Sequence, residues 1–515
     1  MISTQIIPVI DLFAGPGGLG EGFSAMNGQQ KASPFRIALS IEKDLWAHQT
    51  LTLRAFFRQF IFEGKSVPLE YYKHIQIPHK YTREELFNAF ELQSDQARKE
   101  ALLFELGISN SDELRKKIKT SIKGADNWIL IGGPPCQAYS LAGRSRNAGN
   151  SNYIPLKDKR HFLYKEYLQI IAEHWPTVFV MENVKGILSS KIEGQPIFPR
   201  IQDDLIDPGK AVKGRTQKTY SLLAFAAEIL PFSDNSTSFI IRSEEYGIPQ
   251  ARHRVIILGV RNDVIEKKGF PHKLQNQKQI PIDSVIDLPK LRSAVSKSNK
   301  IPDNFNNWLS MLKSCHNEEW FKQCDSGMQN AVKKALETIE FNGNLEFNSN
   351  KKAKRPEKYG NWFYDKNLKI ALNHEARGHR DDDLWRYLFA ACFAKINGRS
   401  PQLKDFPSAL IPNHRSATMN GVENAYFSDR FRVQCYGKPS TTITCHLSKD
   451  GHYYIHPDPA QCRSLTVREA ARIQTFPDNY FFCGPRTEQF KQVGNAVPPL
   501  LAKQLAQIVY ELLSR

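Results

Sequence analysis

Hydrophobic positions along the chain change rhythm three times. Residues 5–13 form an Ile/Val-rich run that reads as a buried strand. The turn Gly15-Pro16-Gly17-Gly18-Leu19-Gly20 follows, then a short helical stretch, then a second apolar run over 35–41 that ends in Glu42. This is a βαβ opening. From about 48 to 125 the spacing becomes helical. Thr82 and Glu85 form a capping box, and Leu86, Phe87, Phe90, Ala97 and Leu102 make an apolar stripe that Gly107 stops. A shorter helix is predicted over 112–122.

Alternation then resumes. Strands are expected at 128–131, 178–181, 239–241 and 254–260, with a helix over 161–173. Short buried strands alternating with helices predict an α/β fold built on a parallel sheet. Ligands of such sheets bind at the carboxyl ends of the strands. Between about 270 and 455 the rhythm breaks. There, residues 342–360 are polar and crowd Lys351, Lys352, Lys354, Arg355 and Lys358, which reads as a solvated linker. Alternation at 441–444 and 452–456 suggests β structure, so this region is read as a second, smaller, partly β domain. Helical periodicity returns over 465–515.

Composition narrows the classes. The chain has 515 residues and a net charge of +17, with a pI near 9.3. That favours a polyanionic partner, although a merely basic soluble protein would look the same. No apolar stretch is long enough to span a membrane, and the first fifteen residues lack a secretory signal. Eight scattered cysteines fit neither a disulfide framework nor a zinc site, so no metal and a reducing cytosol are expected.

Four places carry candidate chemistry. In the first, Asp11 to Gly18, a strand runs into a glycine turn without the Gly-Lys-Ser/Thr of a phosphate loop. Glu42 ends the next strand, where a carboxylate can accept ribose hydroxyls. Together they suit a nucleoside cofactor, while each alone could be ordinary structure. In the second, Pro134 and Pro135 stiffen the chain before Cys136, which is either a buried structural thiol or a presented nucleophile. The third is Glu182, at a strand end beside Asn183; it could also serve a helix start. The fourth is Arg252 and Arg254, spaced to share one face of a strand, as surface charges also would.

In this order the blocks resemble the cytosine-C5 DNA methyltransferase family. The resemblance runs through Asp11-Leu12-Phe13-Ala14-Gly15, Gly133-Pro134-Pro135-Cys136-Gln137, Glu182-Asn183-Val184 and Gln250-Ala251-Arg252-His253-Arg254. It continues through the stretch from Arg468-Glu469-Ala470-Ala471-Arg472 to Pro477, and through Gln492-Val493-Gly494-Asn495 to Pro499. It implies a Rossmann-like, S-adenosylmethionine-dependent catalytic domain from 1–269 and 456–515, and a target recognition domain over 270–455. Phe13, Pro16, Gly18, Glu42 and Asn495 would hold the cofactor. The C-terminal helix would pack beside the first strand. The family's further acidic cofactor contact is displaced by the helical insertion at 48–125, and Asp126 is only a guess for it.

The resemblance further implies that Cys136 adds to C6 of a flipped-out cytosine. Glu182 would protonate or hold N3, and Arg252 or Arg254 would bind O2. Gln137 and Ser140 would contact the substrate, under a loop over 142–159. The expected protein is a monomeric modification enzyme of the bacterial cytosol. It would act on double-stranded DNA and share its site with a restriction endonuclease. An RNA-directed enzyme is the alternative, disfavoured by the long stretch between Arg254 and Arg468; a catalytically dead DNA-binding module is disfavoured by intact Cys136, Glu182 and Asn495. Within 270–455, Asn373, His374, Arg377, His379, Arg380, Arg430 and Arg432 are candidates for reading bases, or alternatively for supporting the domain.

Overall fold

A computed structural model describes residues 6–107, 111–134, 160–192, 194–212, 214, 217–227, 236–296, 301–341, 345–413 and 428–515. The chain divides into two compact units, one formed by Met1–Lys278 with Ala496–Arg515, the other by Gln279–Asn495.

The first unit is α/β around an eight-stranded sheet. Its elements open with β1 (Ile7–Leu12), α1 (Gly18–Ser24), β2 (Phe35–Glu42) and α2 (Leu45–Phe62). Next come α3 (Leu69–Gln76), α4 (Arg83–Ala89), α5 (Glu91–Glu100), β3 (Ala101–Leu103) and α6 (Ser111–Ser121). Then follow β4 (Ile129–Gly132), α7 (Arg160–His174), β5 (Val178–Val184) and α8 (Phe198–Ile206). The unit continues with β6 (Tyr220–Ala224), β7 (Ile240–Arg242), β8 (His253–Arg261) and α9 (Asn262–Lys268). The strand order is β3-β2-β1-β4-β5-β8, with β6 and β7 sharing the far edge of β8.

From β3 to β5 the strands are parallel. The central strands β1, β4 and β5 are short apolar runs largely buried on both faces, as strands covered by helices must be. The all-parallel expectation fails at β8, which runs antiparallel to β5, β6 and β7. A buried apolar run has the same pattern in either direction, so the sequence could not reveal this.

The helical stretch also differs in detail. The Thr82–Glu85 capping box is present at the start of α4. The apolar stripe then breaks at Phe90, and Leu102 leaves the helix for β3, which extends the sheet beside β2. Instead of lying beside β1, the C-terminal helix (Pro499–Ser514) packs on α1, and its Tyr510 meets Phe35 of β2 edge-on at 6.1 Å.

The second unit is chiefly helical among the described residues. Helices α10 (Phe305–Lys313), α11 (Ser326–Phe341) and α12 (Asp381–Asn397) surround an apolar core that includes Trp308, Trp320, Leu384 and Phe389. Helices α13 (Val467–Ile473) and α14 (Arg486–Asn495) follow, before α15 (Pro499–Ser514) returns to the first unit. The β structure expected at 441–444 and 452–456 is reduced to the two-residue strand Ser440–Thr441 and to single bridges from Ile455 to Val433 and Ser464. Single 3-10 turns occupy Cys445–Ser448 and His452–Tyr454. Among the described residues no helix is long and apolar enough to cross a membrane, and no group of three or more His, Cys, Asp or Glu could hold a metal ion.

Candidate active site

Three adjacent parallel strands, β2, β1 and β4, end side by side, and four of the sequence-predicted cofactor residues lie at the ends of two of them: Phe13, Pro16 and Gly18 after β1, and Glu42 at the end of β2. Leaving β1, Phe13 has φ 57°, followed by Gly15 at 57° and Gly17 at 95°. Left-handed backbone is open to glycine but strained for phenylalanine, and such strain concentrates at functional turns. The turn is tied to β2 through Glu42. Its Oε2 accepts Gly15 N–H at 2.8 Å, while Oε1 accepts Lys43 N–H at 2.9 Å and Asp44 N–H at 2.8 Å. Burial pushes the Glu42 carboxyl upward against these bonds. Three of a carboxylate's roughly four acceptor positions are thus used, which leaves one on Oε2 for a further donor.

Gly18 opens α1 against the segment that returns from the second unit. A Cβ there would stand 2.3 Å from the Val497 carbonyl oxygen and 3.2 Å from Ala496 Cβ. Only a hydrogen fits, so this glycine is required for close approach. Asn495, the last residue of α14, is exposed, and Pro16 is buried in the turn. Asp126 is exposed ahead of β4.

Behind the turn lies a cluster that the sequence reading missed. Glu21 of α1 accepts Arg54 Nε at 2.9 Å and Nη2 at 2.5 Å, from α2. Arg58, one turn along, lies 3.7 Å from Glu21 and also pairs with Glu100 of α5, which accepts Gln59 at 2.8 Å. All five side chains are buried. Asp11, at the end of β1, is buried beside them. Burial raises its carboxyl to about 8, opposed by the Arg58 charge and the Gly20 N–H. The signal was available: two arginines four apart among Leu53, Phe56, Phe57 and Phe60 of α2 demand buried acidic partners.

The second cluster lies at the ends of β4, β5 and β8. The antiparallel register sets Ile256 opposite Glu182 and Val184 opposite Arg254, so Glu182 and Arg254 are diagonal neighbours on one face. Arg254 Nε meets Glu182 Oε1 at 2.9 Å, and Arg254 Nη1 donates to the His253 carbonyl at 2.8 Å. Burial lowers the Arg254 guanidinium pKa, and the Glu182 charge opposes that shift. A Cβ on Gly133 would lie 3.0 Å from Glu182 Oε2, so β4 and the acid are in tight contact. Asn183 Nδ2 donates to the Pro134 carbonyl at 3.2 Å, which fixes the chain two residues before Cys136. Cys136, Gln137, Ser140 and the loop over 142–159 lie outside the described residues. Arg252 is buried between Ala251 and β8, where its carbonyl accepts Ser243 Oγ at 2.8 Å. It precedes the strand, so the alternation used to place it beside Arg254 does not reach it.

Several candidate base readers have internal work. His374 bonds Thr466 Oγ1 at 2.9 Å and the Pro289 carbonyl at 2.8 Å; Arg377 donates to the Lys449 and Leu447 carbonyls, each at 2.6 Å. His379 is buried, and Asn373 donates to the Phe482 carbonyl at 3.2 Å. Arg380 alone of that group is broadly exposed, at 71% of its side chain.

Comparison with known proteins identifies the family. Residues 88–511 match the model of the C-5 cytosine-specific DNA methylase family. The type II methyltransferase M.Bpa9945I of Bacillus paralicheniformis is 32% identical, over 98% of this chain and 99% of its own. The type II methyltransferase M.DdeI of Desulfomicrobium norvegicum is 26% identical over 97% of this chain and 87% of its own. The DNA (cytosine-5-)-methyltransferase M.ApeKI of Aeropyrum pernix is 26% identical over 82% and 89%. The family match begins after the glycine turn, but the M.Bpa9945I alignment spans nearly the whole chain. The chain belongs to the C-5 cytosine-specific DNA methylase family.

Proposed function

We propose that the chain methylates C5 of a flipped-out cytosine in a specific double-stranded DNA site, through a covalent bond from Cys136 to C6. The observation that carries this reading is the Glu182–Arg254 pair, held against Gly133 at the strand end that leads to Cys136. Cytosine C5 is a poor nucleophile. Addition of the Cys136 thiolate at C6 turns the ring into an enamine, and the negative charge develops on N3 and O2. Glu182 holds a proton at N3, and Arg254, kept charged by that acid, faces O2; Arg252 is the second candidate for O2. Once C5 is methylated, loss of its proton and expulsion of Cys136 restore the aromatic ring. C6 is shielded in a duplex, so the base must leave the stack.

The residues fit S-adenosylmethionine. The strained turn and the spare acceptor position on Glu42 form a cradle with no phosphate-binding lysine. When bound, that cofactor supplies the electrophilic methyl group. Phe13, Pro16, Gly18, Glu42 and Asn495 would hold it, and Gln137 and Ser140 would contact substrate. Residues 270–455 would choose the DNA sequence, with chemistry on 1–269 and 456–515. We read the chain further as a monomeric modification enzyme of the bacterial cytosol, acting on a site shared with a restriction endonuclease; the type II names of the relatives support the modification role alone.

DNA carrying 5-fluorocytosine at the methylated position should trap the protein, because fluorine cannot leave as the proton does. Cys136→Ala should abolish trapping and methyl transfer together. Turnover in that variant sinks the reading. Bisulfite sequencing of DNA from expressing cells identifies the site, and methylation confined to RNA would favour the alternative substrate.

A further inference from the structure

The polar stretch around Lys351 is not the solvated linker its sequence suggests. Ala353 and Pro356 are buried, and Ala353 packs with Leu288 and Ala371. Trp362 and Phe363 are buried a few residues on; Trp362 Nε1 donates to the Thr475 carbonyl at 2.8 Å, and Asp478 N–H donates to the Phe363 carbonyl at 3.0 Å. Asn479 bonds buried Asp365 at 2.8 Å. Arg472 is fully buried and paired with Asp478; its remaining donors reach the carbonyls of Lys354 at 2.9 Å, Val285 at 2.9 Å and Asp287 at 3.2 Å. The block from Arg468 to Pro477, which served above only as a family signature, is thus the internal anchor of this strap.

Held this way, the strap shows a predominantly positive face to solvent. Lys351, Lys354, Arg355, Lys358, Lys366 and Lys369 are exposed, and Lys352 is partly so, over the Tyr364 ring at 4.6 Å. Glu357 is the exposed acid among residues 351–369. Contacts to acids are loose, with Lys354 3.8 Å from Asp287 and Lys358 4.0 Å from Glu357. A rigid mount for self-repelling cations is unfavourable in isolation and becomes favourable against a polyanion.

We infer that residues 351–369 are a phosphate-binding strap, which grips the DNA backbone without reading sequence and is set at fixed height by Arg472. The inference rests on the DNA reading above. Phosphate contacts position a protein on duplex and weaken all sequences alike when lost, unlike base contacts.

The test is the full chain with Lys351, Lys354, Lys358 and Lys366 all changed to Gln, titrated with labelled duplexes with and without the methylated site. Each lost phosphate contact should reduce the slope of log affinity against log salt by about 0.9, so a total near 3–4 is expected. Affinity should fall in parallel for both duplexes, with S-adenosylmethionine binding and the melting profile unchanged. The matching Lys→Arg variant should restore the slope. A quadruple Gln variant with the wild-type slope overturns the strap, as does a loss confined to the target duplex, which would mean base reading. An acidic protein partner would leave the DNA titration unchanged and is refuted by the expected result. If wild type itself neither methylates nor binds DNA, the functional reading falls and the strap falls with it; if wild type does both and the variant matches it, the strap alone is wrong.

Discussion

Gly18→Ala tests whether the cofactor turn and the returning segment are as closely joined as the structure has them. The added carbon would sit 2.3 Å from Val497 O and 3.1 Å from Val497 N. Non-bonded carbons rest at about 3.5–4.0 Å, so something must move by about 1 Å. Both obstacles are backbone, which cannot rotate aside. Overpacking of this kind costs about 1–3 kcal/mol. If the turn moves, the same energy appears in cofactor binding, as about a 5- to 150-fold weaker dissociation constant. Gly15→Ala is the comparison. Its Cβ would meet nothing within 4 Å, but φ is 57°, so the penalty is left-handed strain of about 1–2 kcal/mol without a collision. Both variants should lose stability in denaturant titrations, and calorimetry with S-adenosylmethionine should show the larger affinity loss in Gly18→Ala. Wild-type stability and affinity in Gly18→Ala would refute the reasoning, because no relaxed turn accommodates a methyl group there.

Arg54→Met should destabilise the first unit by about 3–5 kcal/mol, because it strands buried Glu21; Arg54→Met with Glu21→Met should recover much of that in the same denaturation assay. Arg254→Lys loses the fork that pairs with Glu182 and, in the proposed mechanism, faces the base, so methyl transfer should fall by about 10²-fold or more while cofactor affinity holds; equal losses in both would count against its place at the pyrimidine. Acid should weaken the second unit. His374 is buried neutral, its folded pKa lowered from 6.5 to about 4, and burial lowers His456 to about 4 as well. The unfolded chain therefore binds protons first, so stability is full above about pH 6.5 and is lost as pH falls toward 4. For His374 alone the loss at pH 5 is about 2 kcal/mol, and His374→Gln should flatten the profile of stability against pH from 5 to 7.

What the sequence revealed depended on distance along the chain. Local signals were legible: the capping box at Thr82, the buried runs of β1, β4 and β5, and the turn after Leu12. Strand direction at β8 was not, since its sense depends on pairing with β5 across intervening elements. Leu102 was misplaced because three residues are too few to show a period of two. At 441–456, alternation that looked like strands was taken up by turns. In the site, Glu182 and Arg254 were each visible, but their contact required the register. The strap was hidden because its anchor, Arg472, lies more than a hundred positions away.

The first unit is assembled from two separated stretches of chain, and that has a consequence for synthesis. Gln279–Asn495 must leave the ribosome before Ala496–Arg515 exists, a delay of roughly 10–40 s at about 5–20 residues per second. Through that interval α1 lacks the helix that covers Gly22, where a Cβ would stand 2.4 Å from Ala502 Cβ. The nascent chain therefore holds an open apolar face on α1 while the second unit folds. Interrupted translation yields molecules without the helix that packs on α1. Slowing elongation after Asn495 should lengthen the window in which chaperones or proteases capture the chain.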